Sequence, residues 1–342
     1  MTNLKSHIEP KANRRFRRLA LNTIIVLYLL IVAGGVVRST GSGMGCPDWP
    51  RCFGRWVPPT ELSELPADYK EVYRGKLKGE VIFNPAKTWT EYVNRLIGAF
   101  TGVMIFLLLL ASLPFLKRGP RKIFYYSLSA FLLVGFQGWL GAKVVSFELA
   151  PVVVTLHMLL AIVIVFLVLY LFTWARFFGQ SDINNVKDKA GLSGWGVAAM
   201  SLSLVQILLG TQVRETMDVT IAALGYDQRA LWIGSLGTEF YIHRSFSILL
   251  VLINGLWIYK VLQVEQAGSI IRKFAFACAG VLGIELLTGI SMAYLGVPAL
   301  AQPSHLVLAI ILIGLQYMVW LLNSKRYLST APQSGAPILV NE

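Results

Sequence analysis

The chain has 342 residues, 55% of them hydrophobic and 14% charged, against about 25% charged in an ordinary soluble domain. A mean hydropathy of +0.61 over that length is more than one soluble core can hide. It excludes a soluble enzyme, a disordered chain and a disulfide-stapled secreted module. The formal net charge of +13, from 31 basic and 18 acidic side chains, reads in so apolar a chain as an orientation signal for insertion and not as a nucleic-acid footprint.

A membrane-crossing helix needs about 20 apolar residues. Eight stretches qualify in chain order: 19–37, 92–116, 122–142, 150–175, 192–213, 239–260, 272–295 and 303–323. The predicted fold class is therefore an all-α integral membrane protein. The first span follows a basic tail (1–18) that holds Arg14-Arg15-Phe16-Arg17-Arg18 and a solvated His7. Its length, and the want of a small-residue cleavage site, set it apart from a signal peptide. A long connection (39–90) follows the first span, a linker (176–191) separates spans four and five, and a tail (324–342) closes the chain. With the N-terminus in the cytoplasm, 18 basic residues fall inside, among them Lys187, Lys189, Lys325 and Arg326. The other 13 fall outside, eight of them between Arg38 and Lys87. The bias places both termini in the cytoplasm and the membrane lipid around the eight spans.

The two halves of the chain, 19–175 and 192–323, resemble each other. Glu91-Tyr92-Val93-Asn94-Arg95 lines up with Phe240-Tyr241-Ile242-His243-Arg244, Gly135-Phe136-Gln137 with Gly283-Ile284-Glu285, and the run from Leu156 with the run from Ser304. The offset holds at 148–149 throughout, and Gly34-Gly35-Val36-Val37-Arg38 matches Gly210-Thr211-Gln212-Val213-Arg214 once the long connection is allowed for. Four spans per unit give both halves the same orientation, which predicts two parallel four-helix repeats.

Three histidines lie inside spans: His157, His243 and His305. Imidazole in hydrocarbon is costly without a partner. A hydrogen bond across helices is one reading for each; a ligand role is the other. All three stand near the outer starts of inward-running spans. His243 and His305 come from the second and fourth spans of one half at matched height, which suits an axial pair for haem iron. Zinc or copper wants three or four ligands, and C-x-x-C-H, the mark of covalent haem, is absent from the sequence. A bis-histidine b-type haem fits best.

Arg38, Arg95, Arg214 and Arg244 end spans on the outer side, where they either pair with haem propionates or snorkel to headgroups. The first half departs from the second at one slot, because Asn94 stands where His243 does. A haem there would have His157 on one side and an open position on the other. Glu91, on the same helical face as Asn94, would serve protons or developing charge beside it, or else cap its helix at the water interface. Cys46 and Cys52 allow a small bridged loop on the outer side, as a redox pair or a static staple. Cys278 reads as a buried apolar residue. Glu285, aligned with Gln137, relays protons or bonds between helices. Residues 216–238 read as an outer loop or short interfacial helix over the second haem.

The run Arg38-Ser39-Thr40-Gly41-Ser42-Gly43-Met44, the Cys-Pro-Asp-Trp-Pro-x-Cys that ends at Cys52, Glu91-x-x-Asn94-Arg95 and the three histidines resemble the haem A synthase family across about 19–325. The resemblance implies an enzyme that oxidises the C8 methyl of haem O to a formyl group through hydroxylated intermediates. It implies haem b as cofactor on His243 and His305, and a substrate haem in the half that holds Glu91, Asn94 and His157. By the same resemblance it works with a haem O synthase and in the assembly of haem-copper oxidases, in the plasma membrane of a bacterium. The usual family motif is Glu-x-x-His-Arg; here Asn94 replaces the histidine, which predicts a low-spin haem in the second half and a mixed or high-spin one in the first. The nearest rival is a bis-histidine b-type cytochrome that takes electrons from quinol, but such proteins stack haems at both membrane faces. A transporter with parallel repeats would need midplane polar groups, and only Gln137 and Glu285 qualify.

Overall fold

The computed structural model describes residues 10–74, 83–177 and 191–324. His7, Lys187, Lys189, Lys325 and Arg326, with most of the two tails and of the linker, lie outside the described residues. The described residues form helices and irregular connections, and eight of the helices are long and apolar enough to cross a membrane. They are α1 (Pro10–Ser39), α2 (Pro85–Arg118), α3 (Arg121–Ser146), α4 (Pro151–Phe177), α5 (Leu192–Leu224), α6 (Thr238–Val264), α7 (Ile270–Tyr294) and α8 (Ala301–Asn323). The protein is a multi-pass membrane protein.

Local sequence explains where the helices begin and end. Asn84 caps α2, its side chain accepting the Lys87 N–H, with Pro85 in the first turn, where a missing N–H costs nothing. This cap starts α2 seven residues before the expected span and carries Glu91 into the helix body. At α7, Ser269 caps by accepting the Arg272 N–H. The chain reverses between α3 and α4 through left-handed Glu148 and Leu149 (φ 50° and 60°), and between α7 and α8 through left-handed Gly296 and Val297 (φ 67° and 53°). Each reversal sets a histidine, His157 or His305, eight residues further on.

One expectation needs correction. Residues 216–224 are not a loop; they continue α5 to Leu224. Thr216 and Thr220 return their hydroxyls to carbonyls one turn back, Arg214 pairs with Asp218 along the helix, and nothing breaks it before left-handed Gly225. A short helix (Arg229–Trp232) then leads toward α6, with Trp232 buried against Met217 and Val297.

Helix α1 packs on α2 and α4, α3 on α2 and α4, α5 on α6 and α8, and α7 on α6 and α8. Helix α8 also packs on α1 and α4. This central seam holds Ile162, Ile207, Ile310 and Ile313 and the stack of Phe166 on Tyr317, 4.4 Å between rings. Alternation of direction puts the ends of α1, α3, α5 and α7, and the starts of α2, α4, α6 and α8, on one side. That side carries the described residues 40–74 that follow α1 and is termed the connection face.

Candidate functional site

Each of the three described histidines rests against the bare backbone of a glycine on the preceding helix. A Cβ added to Gly141 would stand 3.3 Å from Cε1 of His157, one on Gly210 3.2 Å from Cε1 of His243, and one on Gly289 3.3 Å from Cε1 of His305. Asn94 meets Gly34 in the same manner, at 3.9 Å from its Oδ1. Four residues before three of these glycines stand Gln137, Gln206 and Glu285. Gln137 donates to the main-chain oxygen of His157 at 2.9 Å, and Gln206 to that of His243 at 3.1 Å. Glu285 departs from this, because its Oε1 lies 3.2 Å from the ring Nδ1 of His305. Thr288 joins it, with Oγ1 2.9 Å from the same nitrogen. Gln206 and Thr288 escaped the sequence reading, although the recurrence of Gln or Glu four residues before a glycine was there to find the first.

The structure brings His243 and His305 together, ring centroids 6.4 Å apart and planes inclined by 72°. Two metal–nitrogen bonds of about 2.0 Å, with about 1.2 Å more from each nitrogen to its ring centre, span about that distance. The rings are therefore spaced to share one metal atom. The surroundings fit a large polar guest: His243 Nδ1, Gln206 Oε1 and Glu285 Oε2 in the second half, and Asn94 Oδ1, His157 Nδ1 and Gln137 Oε1 in the first, are buried without a hydrogen-bond partner. Buried polar atoms are normally satisfied, so six such atoms around these histidines and Asn94 point to missing partners. Among the described residues no three His, Cys, Asp or Glu side chains converge as a metal cluster.

The four arginines expected beside carboxylates have three kinds of surroundings. Arg38 and Arg214 share Asp218, at 3.0 Å and 2.7 Å, and Arg214 also reaches the Arg38 carbonyl and Gln302. Arg38 Nε stays buried and unpartnered. Arg244 is exposed and makes no side-chain contact of this kind with a described residue. Arg95 is committed to the connection. It holds Glu91 Oε1 at 2.5 Å and donates to the carbonyls of Asp48, Arg51 and Cys46 at 2.7, 3.1 and 3.2 Å.

Glu91 is 4% exposed and its Oε2 accepts the Cys46 N–H at 2.9 Å. It does not cap its helix at the water interface, because α2 begins two turns earlier. Cys46 and Cys52 are joined as a disulfide, and the loop they close is pinned by Asp48, which accepts the Phe53 and Gly54 N–H groups at 2.6 and 2.8 Å. Gly45 lies so close to α2 that a Cβ would fall 2.5 Å from the Lys87 carbonyl oxygen. Further along the connection, burial and then the Asp48 carboxylate push the Tyr73 hydroxyl above its usual range. A hydrogen bond from Thr60, with Arg55 nearby, holds Glu64 below the usual carboxylate range.

Residues 17–317 match the family described as cytochrome oxidase assembly protein (COX15-CtaA). Similar proteins include the heme A synthase of Shewanella oneidensis, 31% identical over 55% of this chain and 53% of that protein. That of Shouchella clausii is 27% identical over 74% and 79%, and that of Halalkalibacterium halodurans 25% identical over 89% and 96%.

Proposed function

The chain belongs to the cytochrome oxidase assembly protein family, and from that premise we propose that it is a haem A synthase, which oxidises the C8 methyl of haem O to a formyl group for terminal oxidases. The observation that carries the reading is the His243–His305 pair, with rings 6.4 Å apart inside helices that cross the membrane.

In this reading His243 and His305 hold haem b, with Arg214 and Arg244 at its propionate side. The substrate haem O lies in the first half against His157 and Asn94, with Arg38 and Arg95 at the rim. The halves are two parallel four-helix repeats. Supporting this, Glu148–Leu149 and Gly296–Val297 reverse the chain alike at a spacing of 148 residues, and a glycine backs the site residue in all four helix pairs. The basic residues of the tail and of the α2–α3 turn assign the connection face to the outside of a bacterial plasma membrane, with both termini cytoplasmic.

Haem b supplies one-electron redox chemistry beside the substrate site when bound. The chain's own residues orient the substrate and handle protons. His157 presents one imidazole to the substrate iron, whereas Asn94 offers only an amide, a poor iron ligand, so the substrate is free to enter and leave. Glu91, tethered at Oε2 by Cys46 and at Oε1 by Arg95, is the carboxylate that accepts protons as the methyl is oxidised. The disulfide loop above it limits the access of water.

Co-expression with a haem O synthase, followed by extraction of the pigments, tests the reading. Formyl haem is expected from the wild type and not from His243→Ala or His305→Ala. Unmodified haem O from the wild type would overturn it.

A further inference from the structure

We propose that Glu285 is the positioning residue of the cofactor site: its carboxylate takes the Nδ1–H of His305, turns Nε2 to the iron and lowers the reduction potential of the bound haem. This rests on the reading of His243 and His305 as an axial pair.

The argument starts from the hydroxyl of Thr288. It donates its hydrogen to the main-chain oxygen of Glu285 at 2.8 Å, so only its lone pairs face His305 Nδ1, at 2.9 Å. Glu285 Oε1 faces the same nitrogen at 3.2 Å. Two acceptors around one ring nitrogen make that nitrogen the protonated one, and the hydrogen bond at one nitrogen of an imidazole decides what the other can do. Nε2 of His305 is left with the lone pair a metal requires.

Neither of the other two histidines is held in this way. Nδ1 of His157 and Nδ1 of His243 have no partner. The residues equivalent to Glu285 are amides: both donate to the histidine main-chain oxygens, and Gln206 Nε2 also stands 3.4 Å from His243 Nε2, so what they offer is a donor and not an acceptor for Nδ1–H. A carboxylate has no N–H to give, so in the same slot it can only accept, and it faces Nδ1 of the ring. The exchange is costly inside a membrane, and here it falls at the histidine of the resident haem. A carboxylate behind a metal-bound histidine fixes the tautomer and raises ligand basicity. A more basic ligand favours ferric over ferrous iron, which lowers the potential.

The test uses the purified haem-loaded protein, with potentiometric titration and electron paramagnetic resonance of the low-spin signal. Glu285→Gln is expected to keep the low-spin haem and to raise its midpoint by a tenfold change in the ferric–ferrous equilibrium, 59 mV for one electron, with altered g-values. An unchanged midpoint and unchanged g-values would overturn the proposal. If Glu285→Gln does not take up haem, Thr288→Val decides, since it leaves the carboxylate as sole acceptor. A midpoint at or below the wild type then supports the proposal, and a rise overturns it. His305→Ala separates the two ideas. Retention of the low-spin haem sinks the axial pair and this proposal together. Loss of it, with Glu285→Gln indistinguishable from wild type, sinks only the role of Glu285.

Discussion

At the scale of single residues, the histidines are placed by what their neighbours lack. Gly289 leaves the space into which the His305 ring settles, and a methyl there would sit 3.3 Å from Cε1. Gly289→Ala should cost about 1–3 kcal/mol, as overpacking does, and shift the His305 ring. The low-spin haem absorbance of purified protein, weighed against total haem, checks this; a full low-spin signal contradicts it. Asn94 gives a converse prediction. The wild type should show one low-spin and one mixed or high-spin haem when both sites are filled, and Asn94→His should give a second low-spin signal. Two low-spin signals in the wild type would refute the reading of Asn94. The histidines themselves were legible because imidazole is rare in a span. The partners were less so: a glutamine one turn before a glycine looks ordinary until the fold shows it reaching a carbonyl on the next helix. The surroundings of Arg95 were hidden in the same way. A sequence puts a guanidinium near a membrane surface but does not reveal that a loop folds back to occupy it.

The helices themselves were plain from hydropathy, since each crossing needs an uninterrupted apolar run. Their ends were not. Helix α5 extends to Leu224 because no glycine or proline interrupts 211–224, its threonine hydroxyls are satisfied one turn back and one ion pair runs along it, none of which an apolar count registers. Equally hidden was the polar contact among α5, α6 and α8, where buried Gln316 donates to Ser203 at 2.9 Å and to Asn254 at 2.6 Å. Interhelical hydrogen bonds in membranes average about 0.6 kcal/mol and reach about 1.7, so Gln316→Leu should destabilise by about 1–2 kcal/mol. Thermal unfolding in detergent measures this, and an unchanged midpoint would show that the contact adds nothing.

For the whole molecule, the sequence repeat lines up Gly141 with Gly289, and each of these glycines lies against a histidine of the following helix. It could not show the seam, where helices of the two halves meet, since no periodicity encodes which faces pair. Asp218 lies on that seam and joins Arg38 of α1 to Arg214 of α5. Its side chain is 45% exposed, and pairs so wet contribute at most about 1 kcal/mol. Asp218→Asn should therefore lower stability by less than about 1 kcal/mol while removing the carboxylate that both arginines share, as thermal unfolding at low and at high salt can verify. A larger loss would mark the bridge as a structural clasp.

In the same bridge two guanidinium groups share one carboxylate, and Arg38 Nε is still unsatisfied. An arriving dianion would find there a counter-ion already poised, with Asp218 as its competitor and, on its departure, its replacement.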